Sequence, residues 1–577
     1  MRKSNNTKVS SLILFVLALI ITLVKCGLFR SWCVAWLEQW YPTYSCLAEW
    51  LAIIAACLIV ASIVLLCKRP WVSLIPIVLI DFWIIANVLY YRANHLLLSY
   101  SAIVISSNLH GFEKAILGYI DWKILLIPLM SCLYAVLTII LRHTRRYPIA
   151  FAVVWGVATI LSVSAAQIRC SHRGASSVFT ENEPVKFNRF NPFFTPTEFL
   201  PGGWELELTD FHYTLNHSII AYFVNVFTDG AYHYYQQKWQ QAKVNLTEEE
   251  WQQINQLMSK TEAAKDSTSI NDGNLIILVV ESWESWTLQT FDAHHQPVMP
   301  RLTKVMERHP YFLADKVIPQ VRHGVSADGA LLINTGLLPI IDGLTVFDYE
   351  NNVYPNVAHF YPYSAIVDVC SKTWNVEIFA KNYGYQQHLA PEKKNYWFEN
   401  ITFDKAKQLV SAHLDSLCLE VITMATHSPF NWVSDQELFT SIDLPKDLSE
   451  LDEKYLRAIY FTDYYMGDFL EYLESKDLFA RSTIVITGDH TFNRDDVHFC
   501  PLLIFSPKVT DTQRITDKVY QMDIYPTILS LIGCKDYFWQ GFGRDLTNPK
   551  DTQTLDAEQA LLLSDKLIRM NYFQLRD

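Results

Sequence analysis

The sequence predicts an α-helical membrane domain of five spans, followed by an α/β domain with a mostly parallel sheet on the outer side of the membrane. Three observations predict this. Five apolar runs, each near the ~20 residues that a membrane span needs, fall before Arg169. From Asn274 onward, short β-branched runs alternate with stretches of helical spacing, the pattern of strands joined by crossover helices. Basic residues gather on one side of the spans, and that side is cytoplasmic. The chain accordingly divides into a transmembrane domain over 1–169, a juxtamembrane region over 170–273 and an outer domain over 274–577.

The spans are placed at Val9–Val24, Cys46–Cys67, Trp71–Tyr91, Trp122–Leu141 and Ile149–Ile168. Arg2, Lys3 and Lys8 precede the first, but no small-residue cleavage site follows, so it reads as a retained helix and not a signal peptide. Those three residues, Lys68 with Arg69, and Arg142 with Arg145 and Arg146 all fall on one side, which leaves everything after Arg169 outside. Pro76 and Asp81 interrupt the third span; Asp81 reads as an interhelical contact or as a group facing a lipid substrate. Leu96–Tyr119 is apolar but broken by Asn108, His110, Gly111 and Glu113, which suits a short helix in the interface.

After Cys170, four prolines and Gly202-Gly203 mark an extended connector. The aromatic-rich stretch Phe211–Trp239 reads as an amphipathic helix on the membrane surface. Thr247 with Glu250 three residues on opens another helix through a capping box. Ser267–Gly273 is the final linker.

Composition narrows the possible functions. Of 577 residues, 50% are apolar, and the net charge is −12. One compact core does not serve such a length, and the charge excludes bulk nucleic-acid binding. The eleven cysteines contain no CxxC pair, so neither a cysteine zinc site nor a disulfide framework is indicated.

In the outer domain, strands are expected at Leu275–Val280, Ala365–Val369, Val376–Phe379, Leu417–Thr423, Thr483–Thr487 and Leu502–Phe505. Helices are expected at Met299–Glu307, Asp328–Thr335, Phe403–Leu414, Leu451–Glu474 and Met522–Ile532. Three of these elements end or begin in chemistry. The β-branched run Thr483–Thr487 leads to Gly488, Asp489 and His490, and ligands bind beyond the carboxyl ends of parallel strands. Asp and His there suit a divalent cation. The apolar run Leu275–Val280 leads straight into Glu281, a charge that is costly to bury unless it is paired or bound to a cation. Ser326 opens an apolar helical run, where free N–H groups and the helix dipole favour an anion. Taken singly, Glu281 also reads as a capping carboxylate and Ser326 as an N-cap.

Glu281, the segment Gly324–Pro339, Thr426-His427-Ser428-Pro429-Phe430, Gly488-Asp489-His490 and Gln521–Thr527 occur in one order. With that set, the outer domain resembles the sulfatase-like catalytic domain of lipoteichoic acid synthases and related phosphoglycerol transferases, within the alkaline phosphatase superfamily. The five-span front end resembles the same family. The resemblance implies Glu281, Ser326, Asp489 and His490 as ligands of one divalent cation, with Ser326 at the place of the family's threonine nucleophile. Mn²⁺ or Mg²⁺ suits carboxylates, a hydroxyl and one imidazole, and Zn²⁺ is admissible. The formylglycine signature of sulfatases (Cys or Ser, x, Pro, x, Arg) is absent around Ser326.

The substrate side is expected to involve His427, Arg322, Lys381 and His498. His427 reads as a phosphate or proton-transfer group or as a structural histidine, and Arg322 as an anion contact or a surface residue. The family's histidine and Trp/Arg pair for the glycerol phosphate find no match in Ala380–Gln387, and Ala330 stands where the family has an acidic residue. The expected function is metal-dependent transfer of a phospho-head-group, phosphoglycerol first and phosphoethanolamine as the alternative. The donor is a membrane phospholipid, the acceptor an envelope glycan or lipid, and a covalent serine links the two steps. Hydrolysis of a phosphoester or sulfoester within the same superfamily is the other outcome of such a site. The protein is expected to be integral to the cytoplasmic (inner) membrane, multi-pass, with its catalytic domain extracytoplasmic.

Overall fold

The computed structural model describes residues 2–33, 43–94, 97–104, 117, 119–141, 144–173, 218–232, 245–259, 273–322, 324–341, 343–369, 376–391, 397–414, 416–492, 498–534, 537–552 and 555–574. The chain forms two compact units, Met1–Ile103 with Ile116–His233, and Val104–Ala115 with Tyr234–Asp577. Most of the expected connector after Cys170, the start of the aromatic stretch at Phe211, and the linker Ser267–Gly273 up to residue 272 lie outside the described residues.

Among the described residues of the first unit, four helices are long and apolar enough to cross a membrane: Lys8–Cys33, Leu47–Leu66, Pro70–Arg92 and Pro148–Ala165. They coincide with four of the five expected spans. The remaining one, expected at Trp122–Leu141, is the 15-residue helix Leu126–Ile140. At 1.5 Å per residue it reaches about 22 Å, short of the ~30 Å hydrocarbon layer. Its Ser131 nevertheless joins a buried cluster on two of the long helices. Lys25 donates to Asp81 and to Ser131 Oγ (2.6 Å), and Ser131 Oγ donates to Asp81 Oδ2 (2.5 Å). Charges placed in such a layer must pair with one another, so Asp81 is the interhelical contact that its position suggested. Within the aromatic stretch, Ile219–Asn225 is helical, with Ser218 accepting from Ala221 N at its start.

The second unit opens with the helix Glu248–Ser259, whose capping box is formed as expected. Thr247 N donates to Glu250 Oε2 (2.7 Å), and Glu250 N to Thr247 Oγ1 (3.2 Å). The body of the unit is a nine-stranded sheet: β1 (Asn274–Val280), β2 (Phe312–Ile318), β3 (Tyr363–Val367), β4 (Gln387–Leu389), β5 (Leu417–Ile422), β6 (Ser482–Gly488), β7 (Cys500–Phe505), β8 (Gln513–Ile515) and β9 (Val519–Tyr520). The order is β4-β3-β5-β1-β6-β7-β2-β8, with β9 beside β2. Among the described residues, only the pairings of β7, with β6 and with β2, are antiparallel in this sheet.

All seven residues of β1 and of β6 are buried, which is why both read as unbroken apolar runs. Alternate residues feed two cores. Leu275, Ile277 and Val279 pack with the helices Ser326–Thr335, Ile524–Ile532 and Ala557–Arg569. Ile276, Leu278 and Val280 pack with Pro300–Arg308, Glu399–Ala412 and Glu450–Ser475 on the other face.

One expected strand is a helix. Val376–Phe379 belongs to the helix Val376–Asn382. Val376, Phe379 and Ala380 are buried while Glu377 is exposed, a spacing of three and four that belongs to a helix. The edge strand is instead the polar β4. Strand β2, with Asp315 and Lys316 in its middle, escaped the apolar-run criterion.

The register carries the chemistry to one place. Val279 lies opposite Ile422 and Thr487, and Val280 opposite Gly488. The residues that follow β1, β5 and β6 therefore emerge side by side, with Asp368 after β3 next in line.

Candidate metal and nucleophile centre

Glu281 leaves β1 and Asp489 leaves β6 at the same sheet edge. Ser282, the residue after Glu281, adopts a left-handed φ of 50°, which turns the chain so that its N–H donates to Asp489 Oδ1 (2.8 Å) and its hydroxyl to Glu281 Oε1 (2.7 Å). His490 N donates to the same Oδ1 (2.8 Å). Gly488 permits the close passage: a Cβ there would lie 2.5 Å from the Trp283 carbonyl oxygen.

Ser326 is the first residue of the helix Ser326–Thr335. The loop before it is stapled by Asp328, whose Oδ2 accepts from Arg322 N and Gly324 N (both 2.9 Å). Val325, immediately before Ser326, has φ 45°. That region is strongly disfavoured for a β-branched residue and recurs at functional sites. The helix is set directly against the Asp489 turn, since a Cβ on Gly329 would meet Asp489 O at 2.6 Å. Gly329→Ala is therefore expected to destabilise the domain by about 1–3 kcal/mol and to separate Ser326 from the cluster. Urea unfolding of the variant checks the first effect and metal affinity the second.

These turns bring four side chains together. Ser326 Oγ donates to Glu281 Oε2 (3.1 Å) and lies 3.4 Å from His490 Nε2. His490 Nε2 is 3.3 Å from Glu281 Oε1 and 3.5 Å from Asp489 Oδ2. Ligand atoms of Glu281, Asp489 and His490 all lie within 4.8 Å of one another, and all three residues are buried.

His490 Nδ1 pairs with the Thr491 carbonyl oxygen (2.9 Å). That partner can only accept, so the proton sits on Nδ1 and the Nε2 lone pair faces two carboxylates. Such an arrangement demands a positive charge in the middle, either a proton or a metal ion. The electrostatics agree. Burial alone pulls the imidazole down, but the charges of Asp489 and Glu281 outweigh it and push His490 up to about 9. Burial and the neighbouring Glu281 raise Asp489 above the usual carboxylate range. Burial also acts to raise Glu281, but the hydrogen bond and charge of His490, with the charge of His427, hold it well below that range. A donor set of two carboxylates, one imidazole and one hydroxyl fits a hard divalent cation.

Of the other expected residues, only His427 lines the pocket beside this cluster, along with Val279, Asp368, Val376, Phe379 and Glu420. Its Nδ1 lies 2.6 Å from the Ser428 carbonyl oxygen. Arg322 is buried and turns its guanidinium to the Ile341 carbonyl (2.8 and 3.1 Å). Lys381 is exposed on the helix Val376–Asn382. His498 stands 3.9 Å from Glu284, which is fully buried. None of these three is among the described residues lining the pocket. Trp283 is a core residue, donating to Thr287 Oγ1 (2.9 Å).

Sequence reasoning missed Ser282, Thr423, whose hydroxyl accepts from Glu281 N (3.1 Å), and the pocket carboxylates Asp368 and Glu420. A signal for Glu420 was present: a charge inside the apolar run Leu417–Ile422 invites the same argument as Glu281.

Two family models match this chain. Residues 341–534 match Sulfatase, and residues 1–183 match the lipoteichoic acid synthase N-terminal domain. The chain is 23% identical over 314 residues to the lipoteichoic acid synthase-like protein YvgJ of Bacillus subtilis, covering 47% of this chain and 49% of that one. It is 20% identical over 335 residues to lipoteichoic acid synthase 2 of the same organism, covering 52% and 50%. The chain thus spans about half the length of the curated relatives it matches. Among solved structures, the lipoteichoic acid synthase LtaP of Listeria monocytogenes is similar at 17% identity and a TM-score of 0.46, over 56% of this chain and 98% of that one.

Proposed function

We propose that this chain, which joins a lipoteichoic acid synthase N-terminal domain to a sulfatase domain, is a membrane phosphotransferase acting through Ser326. The observation that carries the reading is the meeting of the Ser326 hydroxyl with Glu281 and His490 at the ends of separate elements. Glu281, Asp489, His490 and Ser326 would hold the divalent cation, Mn²⁺ or Mg²⁺ before Zn²⁺. A cation bound there lowers the pKa of the hydroxyl and offsets charge on the phosphoryl oxygens.

The chain's own residues supply the rest. Ser326 Oγ releases its proton to solvent and attacks phosphorus; the Oγ–P bond forms as the P–O bond to diacylglycerol breaks. The lipid leaves as an alcohol after taking a proton from His427, the imidazole that lines the pocket beside the cluster. An acceptor hydroxyl then attacks the same phosphorus and passes its proton to His427, the Oγ–P bond breaks, and Ser326 takes back a proton from solvent. The helix N-terminus at Ser326 favours the anionic group at both stages. Phosphoglycerol is the head group to test first, on the names of the curated relatives.

Localisation follows from the spans. We place the sulfatase domain on the outer face of the cytoplasmic membrane, facing envelope glycan or lipid acceptors. This requires Leu126–Ile140 to cross with the other four helices. Its Ser131 in the Lys25–Asp81 cluster supports that, as does the gathering of basic residues on one side.

The test is a covalent adduct. The full-length protein, incubated with phosphatidylglycerol and a divalent cation and then digested, is expected to show a head-group phosphate on the Ser326 peptide by mass spectrometry. Phosphate release from soluble monoesters, with no adduct from any phospholipid, would replace the transferase with a hydrolase.

A further inference from the structure

The pocket beside Ser326 has a second polar end that the transfer steps do not use. Glu420 on β5 is fully buried. Its Oε2 accepts from Asn334 Nδ2 (2.9 Å) and Tyr385 OH (3.0 Å), while Oε1 has no hydrogen-bond partner among the described residues. Asp368, at the end of β3 and 2% exposed, accepts from Val369 N (2.6 Å) and faces His388 Nε2 at 3.3 Å. Both carboxylates line the pocket, between apolar walls that include Val376, Phe379 and Met424. No lysine or arginine is among the described residues lining it.

We propose that this end of the pocket is a head-group subsite for a primary ammonium, borne by ethanolamine phosphate or by an aminoacyl-substituted glycerol phosphate. The inference rests on the transfer reading above and deepens it. A buried carboxylate oxygen without a donor is an expensive feature unless something fills it. A glycerol hydroxyl would supply the donor that Glu420 Oε1 lacks but no counter-charge. An ammonium supplies the donor and the counter-charge together. An aromatic wall residue such as Phe379 is compatible with a cation. The electrostatics point the same way: burial first, then the charge of Asp368, pushes Glu420 up to about 7, the response of an acid that lacks a cationic partner.

The experiment measures Ser326 adduct formation by the full-length protein in liposomes containing phosphatidylethanolamine, lysyl-phosphatidylglycerol or phosphatidylglycerol as the sole reactive lipid. At least one ammonium lipid is expected to react roughly tenfold or more faster than phosphatidylglycerol, a discrimination in reach of one buried charged contact. Comparison of the two ammonium arms tells which carrier is used. Glu420→Gln keeps the shape and removes the charge, so it should lower the ammonium-to-glycerol rate ratio about tenfold; Asp368→Asn should lower it in the same direction. Phosphatidylglycerol reacting as fast as the ammonium lipids, or a ratio unmoved by both variants, overturns the subsite and leaves the transferase standing. No adduct from any of the three lipids overturns both.

Discussion

Ser326→Ala is expected to abolish head-group transfer, lowering turnover at least ~1,000-fold, the scale on which removal of a nucleophile acts. Its hydroxyl touches both Glu281 and His490 and can also bond to phosphorus. The substitution removes one oxygen at the first residue of a helix, leaves the backbone unchanged and buries no new polar group. The unfolding midpoint should therefore shift by less than about 1 kcal/mol equivalent. Loss of activity with an intact fold separates a chemical role from a structural one. Ser326→Thr, which keeps the hydroxyl, should retain measurable transfer, in keeping with the threonine of the family it resembles. The measurement is release of labelled diacylglycerol from liposomes. Turnover of the alanine variant within tenfold of the parent would remove Ser326 from the mechanism.

Stripping the cation is expected to have the second-largest effect, on both activity and stability. Without a cation the cluster holds Glu281 and Asp489 at the ends of adjacent strands, with His490 between them carrying the compensating proton. A cation at 100 times its dissociation constant stabilises the folded state by about 2.7 kcal/mol. For a domain of this size each kcal/mol moves the midpoint roughly 2–4 °C, so a chelator should lower the melting temperature by about 5–10 °C, and Mn²⁺ should restore it. Asp489→Asn should weaken the metal-dependent shift sharply, because it removes a charge from the donor set. An identical melting curve with chelator and with each of Mn²⁺, Mg²⁺ and Zn²⁺ would contradict the metal reading.

How far the sequence led depends on what each residue advertises. Strands β1 and β6 were legible because both are buried on both faces, so that their composition is nearly unbroken β-branched and apolar. Glu281 and Asp489 stood out against that background. Ser326 was legible because a polar cluster opens an apolar helix. By contrast, Val376–Phe379 spells four residues that satisfy either period; only the burial of Ala380 and exposure of Glu377 decide for a helix. Strand β2 hid behind Asp315, whose carboxylate pairs with Arg514 (2.7 Å) in β8, a partner 199 residues away. The 15-residue helix Leu126–Ile140 shows the limit of counting apolar residues: Trp122–Leu125, counted into the span, form a turn around Lys123. Asp368 falls inside the run Ala365–Val369 that reads as strand, whereas β3 ends at Val367 and leaves Asp368 at the level of the other strand ends.

The register explains why the site forms at all. Parallel pairing of β1 with both β5 and β6 brings three strand ends level, and the glycines at 329 and 488 let the helix and the turns close upon them. On the reading proposed above, Glu281, Asp489, His490 and Ser326 share one cation. Anomalous scattering from a crystal of the Mn²⁺-loaded protein tests it most directly. The expected result is a single peak within about 2.0–2.4 Å of Glu281, Asp489, His490 Nε2 and Ser326 Oγ, the range for oxygen and imidazole ligands. A peak elsewhere, or Ser326 Oγ beyond about 4 Å from it, would contradict the account.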